Sequence, residues 1–153
     1  MSAVLRPARS FEPMSEADLR PVLEIEQSLY EFPWTLVNFR DSLRAGYRCW
    51  VVRDDRQLIA YAVLVLAAGE GHLLNLSVAP RAQRRGHGRS LLEHVVGIAR
   101  EHEAKVLFLE VRPTNEAGQR LYSGYGFKQI GVRRGYYPAH RGREDALVFA
   151  LDL

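Results

Sequence analysis

The stretch VAPRAQRRGHGRSLLEHVV, residues 78–96, sets Gly86 and Gly88 one residue apart between an apolar run and a helical pattern, with Arg84, Arg85 and Arg89 around them. The chemistry this suggests is anion binding. The first turn of a helix leaves backbone N–H groups without partners and carries a partial positive charge, and glycines let a phosphate come close to them. The spacing excludes two common phosphate readers. A Walker loop needs G-x-x-x-x-G-K-[ST], and the dinucleotide fingerprint needs a third small residue where Leu91 stands. Two more residues are of types that move protons: Glu110, which closes the apolar run KVLFLEV, and Tyr122 in QRLYSGYGF. From the residues alone, Glu110 reads as a strand-end carboxylate paired with Arg112, and Tyr122 sits on a helix whose Tyr125 and Phe127 read as core packing.

Metal chemistry does not fit. His72, His87, His94, His102 and His140 are scattered, and Glu93 with His94 does not complete an H-E-x-x-H pair. The single Cys49, inside the apolar YRCWVV, permits neither an internal disulfide nor a cysteine zinc cluster and reads as a buried strand residue.

The elements that must position these groups can be read in order. A chain of 153 residues with net charge +3 suits one domain, residues 1–153, able to bury a real core. No apolar run approaches the roughly 18 residues of a membrane span, and MSAVLRPARSFEP lacks the apolar centre of a signal peptide, so a cytoplasmic chain is expected. Ser15 and Asp18 form a candidate capping box, after which Leu19, Val22, Leu23, Ile25, Glu26 and Leu29 keep a helical rhythm to about Tyr30. Pro33 breaks the helix, and Thr35 caps a second through Leu43. YRCWVVRDDRQLIAYAVLVLA reads as a hairpin turning at Asp54 and Asp55, and HLLNLSVAP as a further strand ended by Pro80. Leu91, Leu92, Val95, Val96 and Ala99 mark an amphipathic helix. KVLFLEV is a strand of the kind buried on both faces, NEAGQRLYSGYG a helix, and FKQIGVRRGYY, a loop with Pro138 and Gly142, and DALVFAL complete the chain. The pattern predicts a mixed α/β sheet.

This order, with Q-x-x-G-x-G at Gln83, Gly86 and Gly88, resembles the GCN5-related N-acetyltransferase (GNAT) family over essentially the whole chain. Within it, FPW, LEVRPTNEAGQRLY, GF and RRGYYP followed by GREDA are similar to bacterial ribosomal-protein-alanine N-acetyltransferases of the RimI type. The resemblance implies a central sheet of about seven strands flanked by about four helices and splayed between strands four and five. It implies acetyl-CoA as cosubstrate, with Arg84, Arg85, Gly86, His87, Gly88 and Arg89 cradling the pyrophosphate. Leu76, Ser77 and Val78 then pair with the pantetheine arm, and Asn115 bonds the cofactor while capping its helix. His87 stands where the family has an apolar residue and is expected to be exposed. Gly118 replaces the more usual Ala, at about 1 kcal/mol.

By the same resemblance Glu110 is the general base, acting through a water, and Tyr122 the proton donor to the CoA thiolate. An N-terminal amine, with a pKa of about 7.7 to 8.0, asks less of such a base than a lysine at about 10.4. Phe32, Trp34, Tyr136 and Tyr137, aromatics expected on loops, are candidates to wall the acceptor peptide, with Trp34 alternatively stapling the second helix to the sheet. Glu24, Glu26 and Glu31 are expected either to attract a basic tail or to form a solvated helix face. The implied partner is the N-terminus of a small-subunit ribosomal protein. Internal lysines or small amines are the alternative acceptors. Nucleic-acid binding, suggested by the arginine clusters, explains the same residues less economically than a cofactor phosphate.

Overall fold

The computed structural model describes residues 9–153; the first eight residues of MSAVLRPARSFEP lie outside the described part. In chain order the elements are β1 (Ser10–Pro13), α1 (Leu19–Leu29), α2 (Leu36–Arg44), β2 (Arg48–Asp54), β3 (Gln57–Ala67), β4 (Glu70–Val78), α3 (His87–Glu101), β5 (Val106–Val111), α4 (Glu116–Tyr125), β6 (Lys128–Pro138) and β7 (Arg143–Asp152). The seven strands form one mixed sheet in the order β1-β2-β3-β4-β5-β7-β6. β4 and β5 are its parallel pair, with Glu70, Gly71, His72 and Leu73 matched to Val106, Leu107, Phe108 and Leu109. The pairing ends at Leu73 and Leu109, while β4 runs on to Val78 and β5 to Val111.

Two compact units cluster within the chain. The first holds the described part of Met1–Val63 together with Asn75–Leu91. Its entry into α1 is the expected capping box: the Ser15 N–H donates to the Asp18 carboxylate at 2.9 Å, at the start of a 3-10 turn. Burial opposes the charged form of Asp18, but the Ser15 bonds and the Arg53 guanidinium hold its carboxyl below the usual value. Thr35 caps α2 by accepting from the Asn38 N–H at 3.1 Å, and Asn38 returns the bond to the Thr35 N–H at 2.9 Å. Leu19, Val22 and Ile25 of α1 and Phe39 of α2 are buried with Val51, Val52 and Tyr61. Removing each such aliphatic side chain from water stabilises the fold by about 1.5–3 kcal/mol.

The second unit comprises Leu64–Leu74 and Leu92–Leu153. β5 buries Leu107, Leu109 and Val111 while Val106, Phe108 and Glu110 are half-buried, so the run expected to be covered on both faces alternates instead. β7 pairs antiparallel with β5 along its length and with β6 on its other side. The β6–β7 pairing shifts register between Arg133 and Tyr137, and this irregularity carries β6 through Tyr136 and Tyr137 to Pro138. Both tyrosines and Pro138 therefore lie in a strand and not in the expected loop. β6 is an edge strand, where a proline lacking an N–H is tolerated.

Candidate active site

In the first unit, β4 ends at Val78 and the Ala79 N–H donates to the Ile59 carbonyl at 2.7 Å. Gln83 reaches back to the Val78 carbonyl at 3.1 Å, which folds residues 79–83 tightly against the strand end. Arg84 at φ 63° and Gly86 at φ 80° then turn the backbone through the left-handed region. The first helical bond of α3 runs from the Ser90 N–H to the Gly86 carbonyl at 3.0 Å, so the N–H groups of His87, Gly88 and Arg89 belong to the helix end that has no intrahelical acceptor. Left-handed residues alternating with others make a concavity of N–H groups suited to an anion. A Cβ on Gly86 would point into open space, so its positive φ, not crowding by the protein, is what asks for glycine. Arg84, Arg85 and Arg89 are exposed around this turn.

His87 departs from expectation. It is only 7% exposed, and its Nδ1 lies 3.0 Å from Arg9 Nη1. Burial and then the Arg9 charge hold its pKa below the ordinary value.

Glu26 departs further, because it is neither solvated nor available to a basic tail. At 2% exposure its carboxylate accepts from Tyr61 Oη at 2.6 Å, the Trp34 N–H at 2.9 Å and Asn75 Nδ2 at 3.0 Å. Glu24 and Glu31 remain exposed. Trp34 packs on Phe39 with centroids 5.1 Å apart, and Phe39 meets Tyr61 edge-on at 5.7 Å, which is the stapling contact; Phe32 is half-buried in the connection before it. Leu76, Ser77 and Val78 form the last residues of β4, with Ser77 buried.

In the second unit the Glu110 side chain is 6% exposed and bonded on both oxygens by basic groups. His72 Nε2 meets Oε2, and Arg133 Nε lies 3.3 Å from Oε1. The parallel register sets His72 beside Phe108, two residues before Glu110, so both side chains share one face. Arg112 contacts Tyr137, Pro138 and Glu144. Its guanidinium lies over the Tyr137 ring at 4.3 Å and donates to the Pro138 carbonyl at 2.9 Å and to Glu144 at 3.4 Å, and Thr114 completes the cluster on Glu144 at 3.0 Å. Arg112 thus fixes the end of β6. Burial first, and then the Glu110 charge, push the Tyr137 phenol upward, so it stays protonated. Tyr136 is exposed and edge-on to Tyr137 at 4.9 Å.

Asn115 caps α4, its Oδ1 accepting from the Gly118 N–H at 2.9 Å. A Cβ on Gly118 would fall 2.7 Å from Asn115 Nδ2, so the capping side chain occupies the space an alanine would need. Tyr122, two turns along the helix, is buried and meets Phe127 edge-on at 5.7 Å. The structure therefore groups Glu110 with His72, Arg133 and Tyr137, and carries Asn115 and Tyr122 on one helix. Sequence reasoning missed His72 and Glu26. Nothing local marks His72, whereas Glu26 sits in the apolar rhythm of α1, four residues after Val22.

Among the described residues no group of three or more His, Cys, Asp or Glu side chains is placed to hold a metal ion, and no helix is long and apolar enough to cross a membrane. The family model for the acetyltransferase (GNAT) family matches residues 15–127. A ribosomal protein bS18-alanine N-acetyltransferase of Escherichia coli K12 is 35% identical over 140 residues, covering 92% of this chain and 95% of that enzyme. The crystal structure of the ribosomal-protein-S18-alanine N-acetyltransferase from Escherichia coli aligns with a TM-score of 0.86 at 34% identity, covering 94% of this chain and 93% of that one. Arabidopsis thaliana Naa50 in complex with the bisubstrate analogue CoA-Ac-MVNAL shares the fold at a TM-score of 0.83, with 18% identity and coverage of 95% and 99%. With its strand order, the left-handed turn before α3 and a family-model match across most of its length, the chain belongs to the GNAT acetyltransferase family.

Proposed function

We propose that this chain moves the acetyl group of acetyl-CoA to the N-terminal amine, on alanine, of a small-subunit ribosomal protein, as a single cytoplasmic domain. The observation that carries the reading is the 35% identity across 95% of an enzyme named for that reaction. The residues present suit the cofactor: the left-handed Arg84 and Gly86, the open space beside Gly86 and three exposed arginines fit a pyrophosphate. Residues 84–89 hold that group, Leu76, Ser77 and Val78 pair with the pantetheine arm, and Asn115 adds a bond while capping α4. Bound acetyl-CoA supplies an activated acetyl thioester.

Glu110 takes the proton of the acceptor ammonium through a water. Its contacts to His72 and Arg133 hold the carboxylate in one orientation for that transfer. A modest base suffices, because an N-terminal amine has a pKa of about 7.7 to 8.0. Tyr122 provides the proton that the departing sulfur needs. Attack is direct. Burial pushes the Cys49 thiol up to about 11, which leaves no reactive thiolate for a covalent route. Phe32 and Trp34 of the first unit are acceptor contacts in this reading, and so, separately, are Tyr136 and Tyr137 of the second.

Mass spectrometry with CoA-thiol release tests the reading on three acceptors: an Ala-Arg-starting ribosomal peptide, its N-terminally blocked copy containing lysine, and spermine. Acetyl on the free terminal amine alone, with Glu110→Gln and Tyr122→Phe impaired, is the expected result. Turnover of the blocked peptide or of spermine in its place would overturn the acceptor assignment.

A further inference from the structure

Glu26 is a buried carboxylate that the reaction above does not use. Burying a carboxylate is costly unless donors surround it. Here all three donors are neutral, and one of them is the backbone N–H of Trp34 in the non-helical connection between α1 and α2.

The network continues from there. Ser77 Oγ donates to Asn75 Oδ1 at 2.7 Å, and Tyr30 Oη lies 2.6 Å from Ser77 Oγ. The Ser77 hydroxyl has one proton and spends it on Asn75, so Tyr30 must be the donor to Ser77. The direction of the whole chain follows: Tyr30 to Ser77, Ser77 to Asn75, Asn75 to Glu26. Every dipole points toward the carboxylate, an arrangement in which each bond strengthens the next. Burial first pushes Tyr30 up to about 12 and Tyr61 higher, with the Glu26 charge adding to both, so both phenols remain donors throughout the working range.

This circuit clamps one short segment at both ends. Tyr30 begins the connection and is held by Ser77; Trp34 lies near its end and is held by Glu26; the two paths meet at Asn75 on β4. An apolar residue in place of Glu26 would leave the Trp34 N–H and Asn75 unlinked.

We propose that Glu26 is a positioning residue that couples the cofactor-pairing end of β4 to the acceptor connection at residues 30–34, so that acetyl-CoA on Ser77 and its neighbours sets the wall against which the acceptor docks. The proposal rests on the reading of those two segments given above. Glu26→Gln tests it selectively. Its amide oxygen can still accept from Tyr61 and Asn75, while its NH2 group then faces the Trp34 N–H, donor against donor.

Hydrogen–deuterium exchange over residues 30–35, with and without acetyl-CoA, reads the coupling directly. In the parent protein acetyl-CoA is expected to slow exchange at the Trp34 amide about tenfold, and in Glu26→Gln not at all. The acceptor KM of the variant rises about tenfold, while kcat and the affinity for acetyl-CoA stay within about threefold. Tyr61→Phe serves as the control: it removes a donor to the same carboxylate and lowers thermal stability, yet keeps the acetyl-CoA protection of Trp34. Should Glu26→Gln fail to fold, Ser77→Ala opens the circuit at its other end and is expected to abolish protection of Tyr30. Protection at Trp34 that survives in Glu26→Gln, or that is absent from the parent, overturns the proposal. If the parent acetylates no alanine-starting peptide, the acceptor assignment fails on its own and the exchange data still decide the coupling.

Discussion

Two carboxylates, Glu26 and Glu110, are nearly withdrawn from water, and their surroundings could hardly differ more. Glu26 is held by a backbone N–H, a phenol and an amide, none of which can take or give a proton near neutral pH. Glu110 is held by an imidazole and a guanidinium, with the His72 and Arg133 side chains partly open to solvent. Neutral donors fixed in the fold make a carboxylate a structural anchor. Partners that are themselves partly open to solvent leave a carboxylate within reach of water, as the general-base role proposed for Glu110 requires. Two shielded carboxylates thus suit opposite roles, and the chemistry of the donors separates them.

The largest expected effect comes from breaking the proton-transfer half of this comparison. Glu110→Gln should lower kcat on the order of a thousandfold toward an alanine-starting peptide, measured by steady-state CoA release. Breaking the anchor half acts on stability. Glu26→Ala strands three buried donors and should cost about 3 kcal/mol or more in urea denaturation, with activity per folded molecule reduced far less than in Glu110→Gln.

Acid titration sharpens the comparison through two further groups. Asp18 is held below its ordinary 3.8, so the unfolded chain binds its proton first; the stability it contributes is present above that value and is lost as pH falls through the folded one. His87, held below 6.5 by burial and Arg9, also binds its proton first in the unfolded chain, and stability falls as pH drops below that value. Calorimetric Tm between pH 7 and 5 should decline less in His87→Phe than in the parent, and Asp18→Asn should flatten the remaining decline below about pH 4.

The smallest effect is expected at α4. Gly118→Ala gains about 1 kcal/mol of helix propensity but displaces the Asn115 cap, worth about the same, so stability should move by less than about 0.5 kcal/mol. Asn115→Ala loses the cap without that gain and should cost about 1 kcal/mol by the same denaturation assay.

Local chemistry made much of the fold legible in advance. Ser15, Asp18 and Thr35 announce helix starts because capping is a matter of three or four neighbouring residues, and the apolar rhythms of α1 and α3 report their buried faces. What escaped depends on long-range placement. His72 meets Glu110 only through the β4–β5 register, which no local pattern encodes. Tyr136 and Tyr137 read as loop residues because Pro138 follows them, yet pairing with β7 carries an edge strand through all three. His87 is buried and meets Arg9, 78 positions away, a placement that no local pattern encodes. Glu26 carried a usable signal, since it occupies a core position of the α1 rhythm, but its charge argued for solvent. A charged residue in phase with a buried stripe is better read as a candidate network centre.

Steady-state kinetics of Glu110→Gln and Glu26→Gln, run together on one alanine-starting peptide with acetyl-CoA saturating, tests the division between base and anchor most directly. Glu110→Gln is expected to lose kcat with KM near that of the parent, and Glu26→Gln to raise KM with kcat largely kept. Equal loss of kcat in both variants, or a Glu110→Gln enzyme that turns over at the parent rate, would contradict it.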